Sequence, residues 1–236
     1  MPLVGHQPEF LPWMGFFHKL TLGEVYMVVD HVQFKKRHFE NRNRIRTREG
    51  WSWLTVPVRT HDRFEQPINA VEVDPRAPWR RKVCRSIELN YAKAPYFSAY
   101  WPAYSELLQG DWPLLAQLNE ALIRQSLDFL GIRPRVVRSS ELGVDSHGTQ
   151  LIVDMCRAVD TRLYVSGQSG KEYLDAAVLE EGGIEVVYQD FTHPEYRQLH
   201  EPFEPYMSVL DLLFNEGENA GDIVRRAGAL EDRRPA

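Results

Sequence analysis

VGHQPEFLPWMGFFHKL at residues 4–20, followed by EVYMVVDHVQFKKRHFENRNRIR at residues 24–46, is the stretch that decides the fold. A short apolar run leads into His6, a helix-like segment follows, and a second apolar run ends at Asp30. Two short apolar runs separated by a helix are typical of buried parallel strands in a βαβ unit. Because the carboxyl ends of parallel strands meet at one edge of the sheet, we expect His6 and Asp30 at that edge.

The rest of the sequence continues this alternation of strands and helices. Apolar runs predict strands over residues 51–58, 71–73, 136–137, 163–165 and 184–188. Apolar spacing predicts helices over residues 13–22, 79–108 with a break at Ala94-Pro95, 113–131, 149–159 and 173–180. Asp111 suits the N-cap of the helix that ends at Gly131, and Ser208 with Asp211 predicts a capping box for a short helix ending at Gly217. The pattern predicts an α/β fold with a mainly parallel sheet and helices on both faces.

These elements are expected to form a single domain over residues 1–224. Within it, the helices of residues 79–130 could form an inserted cap. Residues 225–236 are charged and rich in small side chains, which predicts a flexible tail.

Composition excludes several classes of protein. The chain has 236 residues and is 43% hydrophobic, as expected for a globular protein. No apolar run approaches the roughly 20 residues that cross a bilayer, and no leader is evident, so we expect a cytoplasmic protein without a membrane partner. The net charge of −5 argues against nucleic-acid binding. Cys84, Cys156 and the scattered histidines show no ligand spacing, so we expect no metal and no cofactor, while the many aromatics leave room for a homodimer.

Residues 35–48 form a basic, amide-rich segment. Seven cations and one acid give it a local charge of +6 in an acidic chain, which favours binding of an anionic ligand. Arg37 and Arg42 offer forked donors for phosphate or carboxylate. The substrate-binding candidates here are Gln33, Lys36, Arg37, Asn41 and Arg42. The pyrophosphate of a sugar nucleotide or of coenzyme A would suit this segment, and so would a carrier-protein surface.

His6 is the leading catalytic candidate, with Gln7 as an amide that orients the substrate. An imidazole at a strand end has a pKa suited to acid–base work, although a half-buried His6 could instead bind the backbone of its turn. Asp30 could orient His6, meet a substrate amine or cap the next turn.

A second candidate segment is the loop Ser166-Gly167-Gln168-Ser169-Gly170-Lys171. Because it joins a strand to a helix, its backbone N–H groups could bind an anion or an oxyanion, although its spacing is not that of a P-loop. We therefore expect Ser166 among the catalytic residues and Gly167, Gly170 and Tyr173 among the substrate-binding ones. Weaker candidates for the same edge are Asp190, His193, Tyr196, Asn215 and Glu216.

Several blocks of the chain resemble the WbqC-like protein family. They are HQPEFLPWMGFFHK (6–19), VDHVQFKKRHFENRNRI (29–45), WLTVPV (53–58), KAPYF (93–97), YVSGQSGKEYL (164–174) and LDLLFNEG (210–217). The resemblance implies a role in the biosynthesis of O-antigen-like polysaccharides or of secondary metabolites.

Three functions are compatible with these residues. The first is an enzyme of acyl or aminoacyl transfer, or of acyl-thioester cleavage, with His6 as general base and an acyl substrate that is a small molecule or is bound to a carrier protein. The second is an enzyme resembling the nucleotidyltransferases that use the first βα turn; their H-x-G-H pattern is replaced here by His6-Gln7-Pro8-Glu9. The third is a non-catalytic module that binds a sugar nucleotide or a carrier.

Overall fold

The computed structural model describes residues 1–61, 63 and 65–231. Its strands are β1 (Leu3–His6), β2 (Val25–Val28), β3 (Arg42–Thr47), β4 (Gly50–Thr55), β5 (Arg135–Arg138), β6 (Leu163–Ser166), β7 (Glu185–Phe191) and β8 (Gly228–Leu230). Six of them form a sheet in the order β5-β2-β1-β6-β7-β8, and β3 and β4 form a separate antiparallel hairpin. The five strands from β5 to β7 are parallel, and β8 runs antiparallel to β7. This confirms the predicted α/β fold.

Helices cover both faces of the sheet. They are α1 (Met14–Thr21), α2 (Trp79–Tyr91), α3 (Phe97–Gln109), α4 (Leu115–Leu130), α5 (Gly148–Ala158), α6 (Gly170–Tyr173), α7 (Ala176–Gly182), α8 (Val209–Glu216) and α9 (Ala220–Arg226). Within the described residues, no helix combines the length and apolarity needed to cross a bilayer.

The alternation of side chains along β1 and β2 divides the interior in two. Val4, Tyr26 and Val28 belong to a large core that includes residues of α1, α4 and α8. Leu3 and Met27 point to the opposite face, where they pack against residues of α5 and α7. A strand buried on both faces must be apolar at every position, which explains the short continuous runs in the sequence.

The predicted mid-chain cap shares the large core. Ile87 of α2, Tyr104 of α3 and Leu118 of α4 are fully buried in the same cluster as Phe17 and Phe214. The three helices therefore pack directly on the body of the protein.

Several boundaries differ from the sequence prediction. Helix α4 begins at Leu115 because Leu114 is extended, and Asp111 makes no cap; Gly131 does end the helix in the left-handed region, at φ 63°. Residues 173–180 are divided between α6 and α7, since Leu174 is extended and the Asp175 carboxylate caps α7.

The start of α8 and the residues from 225 onward also differ from the sequence prediction. Ser208 caps α8 by accepting from the Leu210 N–H, but Asp211 does not complete a capping box. Its buried carboxylate instead accepts hydrogen bonds from the Tyr91 hydroxyl, the Tyr196 hydroxyl and Gln198. Residues 225–231, expected as part of the tail, end α9 and form β8, while residues 232–236 lie outside the described residues.

Strand β3 of the hairpin lies inside the basic segment of residues 35–48, and β4 follows directly after it. The inner face of the hairpin is buried, with Asn43 and Ile45 fully inaccessible. The Ser208 N–H donates to the Arg44 carbonyl at 2.8 Å, and the Val209 N–H donates to the Pro12 carbonyl at 2.8 Å. These bonds connect the hairpin to the turn between β1 and α1.

Buried amide side chains hold that turn in place. The Asn119 Nδ2 of α4 donates to the Pro8 carbonyl at 2.8 Å and to the Glu40 carbonyl at 2.7 Å. The Asn43 Nδ2 donates to the Phe10 and Leu11 carbonyls at 3.2 and 2.9 Å. Buried carbonyl groups outside regular structure require such donors, because leaving them unpaired costs free energy.

We expect Asn119→Leu to lower the free energy of unfolding by about 2–4 kcal/mol, because two buried carbonyls lose their donor. Urea unfolding followed by circular dichroism measures the effect. Asn90→Leu is the matched control, since among the described residues the Asn90 amide donates to the Ser86 carbonyl of its own helix alone. An equal, small effect of both substitutions would contradict the assigned role of Asn119.

Candidate functional site

A cleft of about 720 Å³ opens at the carboxyl ends of β1, β6 and β7. It brings together five of the predicted site residues, namely His6, Gln7, Ser166, Gly167 and Tyr173. Parallel sheets bind ligands at this edge, where loops from neighbouring strands face one another. The cleft is therefore the candidate site of this protein.

The environment of His6 fixes its protonation state. Its Nδ1 lies 3.0 Å from the Gln7 carbonyl oxygen, which can only accept, so Nδ1 carries the proton and Nε2 has a free lone pair. The ring packs edge-on against Phe16 at a centroid distance of 4.7 Å. Burial, followed by the charge of Lys19, lowers the pKa of His6 to about 3. The imidazole is consequently neutral at physiological pH.

Lys19 lines the same cleft and was missed in the sequence analysis. It lies in the last turn of α1 with 8% of its surface exposed, and its Nζ donates to the Gly5 carbonyl at 3.5 Å. Burial lowers the pKa of Lys19 to about 8, opposed by the charge of Glu9. The spacing in the sequence could have indicated this position. Lys19 follows Gly15 by four residues and Phe16 by three, so the three residues share one face of the helix.

Glu9 is the acidic counterpart of Lys19. Burial raises the pKa of the Glu9 carboxyl to about 8, while Lys19 lowers it and Glu40 raises it further. The pKa of Glu40 is itself raised by burial. The Glu9 and Lys19 protons therefore titrate in the same pH range and influence each other.

The loop between β6 and α6 forms a second wall of the cleft. Ser166 is buried, and its Oγ donates to the Gly167 carbonyl at 3.1 Å. A Cβ at Gly170 would lie 2.1 Å from the Ser166 Oγ, so only glycine fits at position 170. The Gly170 and Lys171 N–H groups bond within the turn. In the described part of the chain, the N–H groups of Gly167, Gln168 and Ser169 make no such bond and remain as donors.

Aromatic side chains complete the cleft. Trp13, Phe16, Tyr164 and Phe191 all line it. Trp13 meets Phe191 edge to face at 5.2 Å and stacks on His193 at 6.2 Å. His193 is occupied on both ring nitrogens, since Nδ1 donates to the Pro194 carbonyl and Nε2 accepts from the Tyr206 N–H.

The structure places Asp30 outside the cleft lining. Its carboxylate accepts from the Ser139 hydroxyl at 3.0 Å, the Ser140 N–H at 3.1 Å and the Ser140 hydroxyl at 2.7 Å. The carboxylate therefore fixes the turn after β5, which is not the turn that follows Asp30 in the chain.

The basic segment contributes Lys35 to the cleft, whereas its predicted ligand-binding residues lie elsewhere. Asn41 is buried and donates to the Val56 carbonyl at 2.9 Å. Lys36 donates to the Thr60 carbonyl at 3.4 Å, Arg42 donates to the Arg37 carbonyl, and Gln33 forms a bridge with Pro67. Asn215 is also buried, and its amide donates to the Asp211 carbonyl at 2.7 Å. Packing of the hairpin explains the position of Asn41, and packing of α8 explains that of Asn215.

No metal site is formed by the described residues, since none of their His, Cys, Asp and Glu side chains gather in groups of three or more that could hold an ion. Burial raises the pKa of Cys84 to about 11 and that of Cys156 to about 12, as expected for packing residues.

The fold and the cleft define an α/β protein whose candidate site is built from the first βα turn and from the β6–α6 loop. The chain belongs to the WbqC-like protein family, whose model matches residues 7–223. A relative in Mycobacterium tuberculosis (strain ATCC 25618 / H37Rv), named "Uncharacterized protein Rv1507c", is 35% identical over 224 residues, which cover 93% of this chain and 95% of the relative. No solved structure matches the chain.

We expect Lys19→Met to raise the pKa of His6, because the substitution removes a neighbouring positive charge. The value should stay below 6.5, since burial is the larger cause of the shift. Nitrogen-15 NMR of the ring, assigned with a His6→Gln variant, measures the pKa. Lys35→Met is the control, because Lys35 is an exposed cation of the same cleft. An unchanged His6 titration in Lys19→Met would show that the two groups are not coupled.

Proposed function

We propose that this protein catalyses acyl transfer or acyl-thioester cleavage in the biosynthesis of a polysaccharide or a secondary metabolite. One observation carries the proposal: a neutral imidazole, whose Nε2 makes no hydrogen bond with the described residues, lines a cleft together with a loop whose N–H groups have no backbone partner among those residues. A general base beside oxyanion donors is the arrangement that attack on a carbonyl requires.

In the proposed reaction, an amine or a water attacks the carbonyl carbon of a thioester, and His6 Nε2 accepts the proton that the nucleophile loses. The C–S bond then breaks, and the same proton passes to the leaving sulfur. The hydrogen bond from Nδ1 to the Gln7 carbonyl stabilises the transient imidazolium. The low pKa of His6 favours an amine over water, because an ammonium group formed on attack loses its proton to a weak base more readily than water does.

The negative charge that develops on the carbonyl oxygen needs stabilisation. The N–H groups of Gly167, Gln168 and Ser169 can donate to it. Lys19 adds a positive charge in a buried position, where charges interact more strongly than in water. Ser166 has the role of shaping this loop, because its hydroxyl is bonded to the loop backbone.

Lys19 and Lys35, which line the cleft, favour an anionic group on the substrate. An anionic substrate also suits the second candidate function, transfer of a nucleotidyl group. The two functions differ in their requirements. Nucleotidyl transfer needs a nucleoside triphosphate with magnesium and releases pyrophosphate, whereas thioester chemistry needs neither. Thermal stabilisation by a panel of acyl-coenzyme A species, nucleotide sugars and triphosphates, with and without magnesium, separates them.

With a thioester selected by that panel, we expect His6→Ala to lower kcat/KM by about 100-fold or more, which is the usual contribution of a general base. Stopped assays of free thiol release measure the rate. His38→Ala is the matched control, because His38 is exposed in the basic segment and does not line the cleft. Full activity of His6→Ala would overturn the assignment of the base.

The pH dependence gives a separate test. His6 stays neutral down to about pH 3, so kcat/KM should not fall near pH 6.5. It should fall as the pH rises through about 8, because Lys19 then loses its charge. Lys19→Arg should remove this alkaline limb, and Glu9→Gln should move it to lower pH, since the Glu9 carboxylate raises the pKa of Lys19. A rate that rises through pH 8 would instead make Lys19 a base.

A further inference from the structure

A ladder of half-buried arginine and exposed tryptophan side chains covers the outer face of the β3–β4 hairpin. Arg44 pairs with Trp53 across the strands, and Arg46 pairs with Trp51, so these residues share one face. The Arg42 guanidinium lies 4.1 Å from the Trp53 ring centroid, and that of Arg44 lies 5.2 Å from the Trp51 centroid. Both indoles remain open to solvent, at 43% exposure for Trp51 and 38% for Trp53. Two exposed indoles side by side are unusual on a surface without a partner.

The cations of this face are uncompensated. Arg42, Arg44 and Arg48 form no ion pair with any described residue. Arg46 differs, because its buried guanidinium donates to the carbonyls of Thr47, Gly50, His200 and Pro202. Arg46 therefore stabilises the fold, whereas Arg42, Arg44 and Arg48 are available to bind an acidic partner.

The basic surface continues from the hairpin onto α2. His200, whose carbonyl accepts from Arg46, lines a groove of about 780 Å³ together with Arg48, Arg85 and Lys93. Leu89 also lines that groove, and its side chain is 67% exposed. Glu88 lines the groove as well and pairs with Arg85 at 3.7 Å. An exposed apolar side chain beside Arg48 and Lys93 is complementary to a partner that presents both acidic and apolar side chains.

The ladder is close to the cleft. The Ser208 N–H bonds to the Arg44 carbonyl, and Ser208 forms an antiparallel bridge with Trp13, which lines the cleft. Arg44 and Trp13 are thus separated by two strand spacings, which is about 10 Å. A substrate on a flexible arm can reach the cleft from a partner bound at this distance.

We infer that the surface formed by Arg42, Arg44, Arg48, Trp51, Trp53 and Leu89 binds a small acidic carrier protein that holds the acyl group as a thioester. This inference rests on the proposed function and names the form in which the substrate arrives. Tryptophan and arginine dominate the binding energy of protein interfaces, and the six side chains extend over a hairpin and a helix, further than a small anion would contact. The acidic remainder of the chain would repel a nucleic acid.

The test compares two donors of the same acyl group, one on an acidic acyl carrier protein and one on N-acetylcysteamine, which supplies only the end of the arm. We expect Arg44→Gln and Trp51→Ala each to lower kcat/KM for the carrier-bound donor by about 10-fold or more. The small donor should be turned over at the wild-type rate, within about 2-fold. Arg157→Gln is the control, since Arg157 is exposed on α5 and pairs locally with Asp154.

Binding of the holo carrier protein, measured by interferometry, provides a readout that does not depend on turnover. We expect saturable, salt-sensitive binding to wild type that weakens in both hairpin variants. If neither donor reacts but this binding is observed, the proposed function fails and the docking surface stands. Equal losses with both donors, no saturable binding, or tighter binding of DNA or of an acidic polysaccharide would overturn the inference.

Discussion

The candidate site depends on the pairing of backbone groups in the buried turn between His6 and Trp13. Pro8, Phe10 and Leu11 lie in the interior without regular structure, so their carbonyl groups cannot be satisfied by a helix or a sheet. Asn119 of α4 and Asn43 of β3 supply the donors, and the Phe10 N–H donates to the Phe39 carbonyl. Elements that are distant in sequence therefore meet at this turn. Glu9 lies in this turn, while His6 and Lys19 belong to β1 and α1 on either side of it, and the electrostatics of the cleft follow from that fixed arrangement.

The parts of the fold that follow from local patterns could be predicted from the sequence. The apolar runs around His6 and Asp30 indicate buried parallel strands because a strand covered on both faces has no polar positions. The Ser166 loop follows a predicted parallel strand, which indicates the carboxyl edge of the sheet. In the structure this loop and His6 line the same cleft. The left-handed residue Gly131 was also predictable, since its conformation depends on its own backbone.

The parts that depend on tertiary packing could not be predicted in this way. Lys19 belongs to a helix whose residues Met14–Leu20 are all buried, and a charged side chain in such a helix gives no local sign that it stays inside. Asn41, Asn43 and Arg46 lie within a run of charges, which usually indicates a solvated face. They are buried because the alternation along β3 turns every second side chain inward and because residues 200–202 cover one end of the outer face. Asp30 is a polar residue after β2 whose partner, Ser139, is known only from the fold.

The short last strand has a consequence for the solubility of the molecule. Strand β8 pairs with the outer side of β7 through Gly228, Ala229 and Leu230, and a Cβ at Gly228 would lie 1.8 Å from the Asp190 carbonyl oxygen. Without this strand, β7 would present an open row of N–H and C=O groups to other copies of the chain, which is how sheets join into aggregates. Three residues are too few to offer a long template of their own, so β8 ends the sheet on this side. Strand β8 thus covers the edge of β7 against pairing with a strand of another molecule.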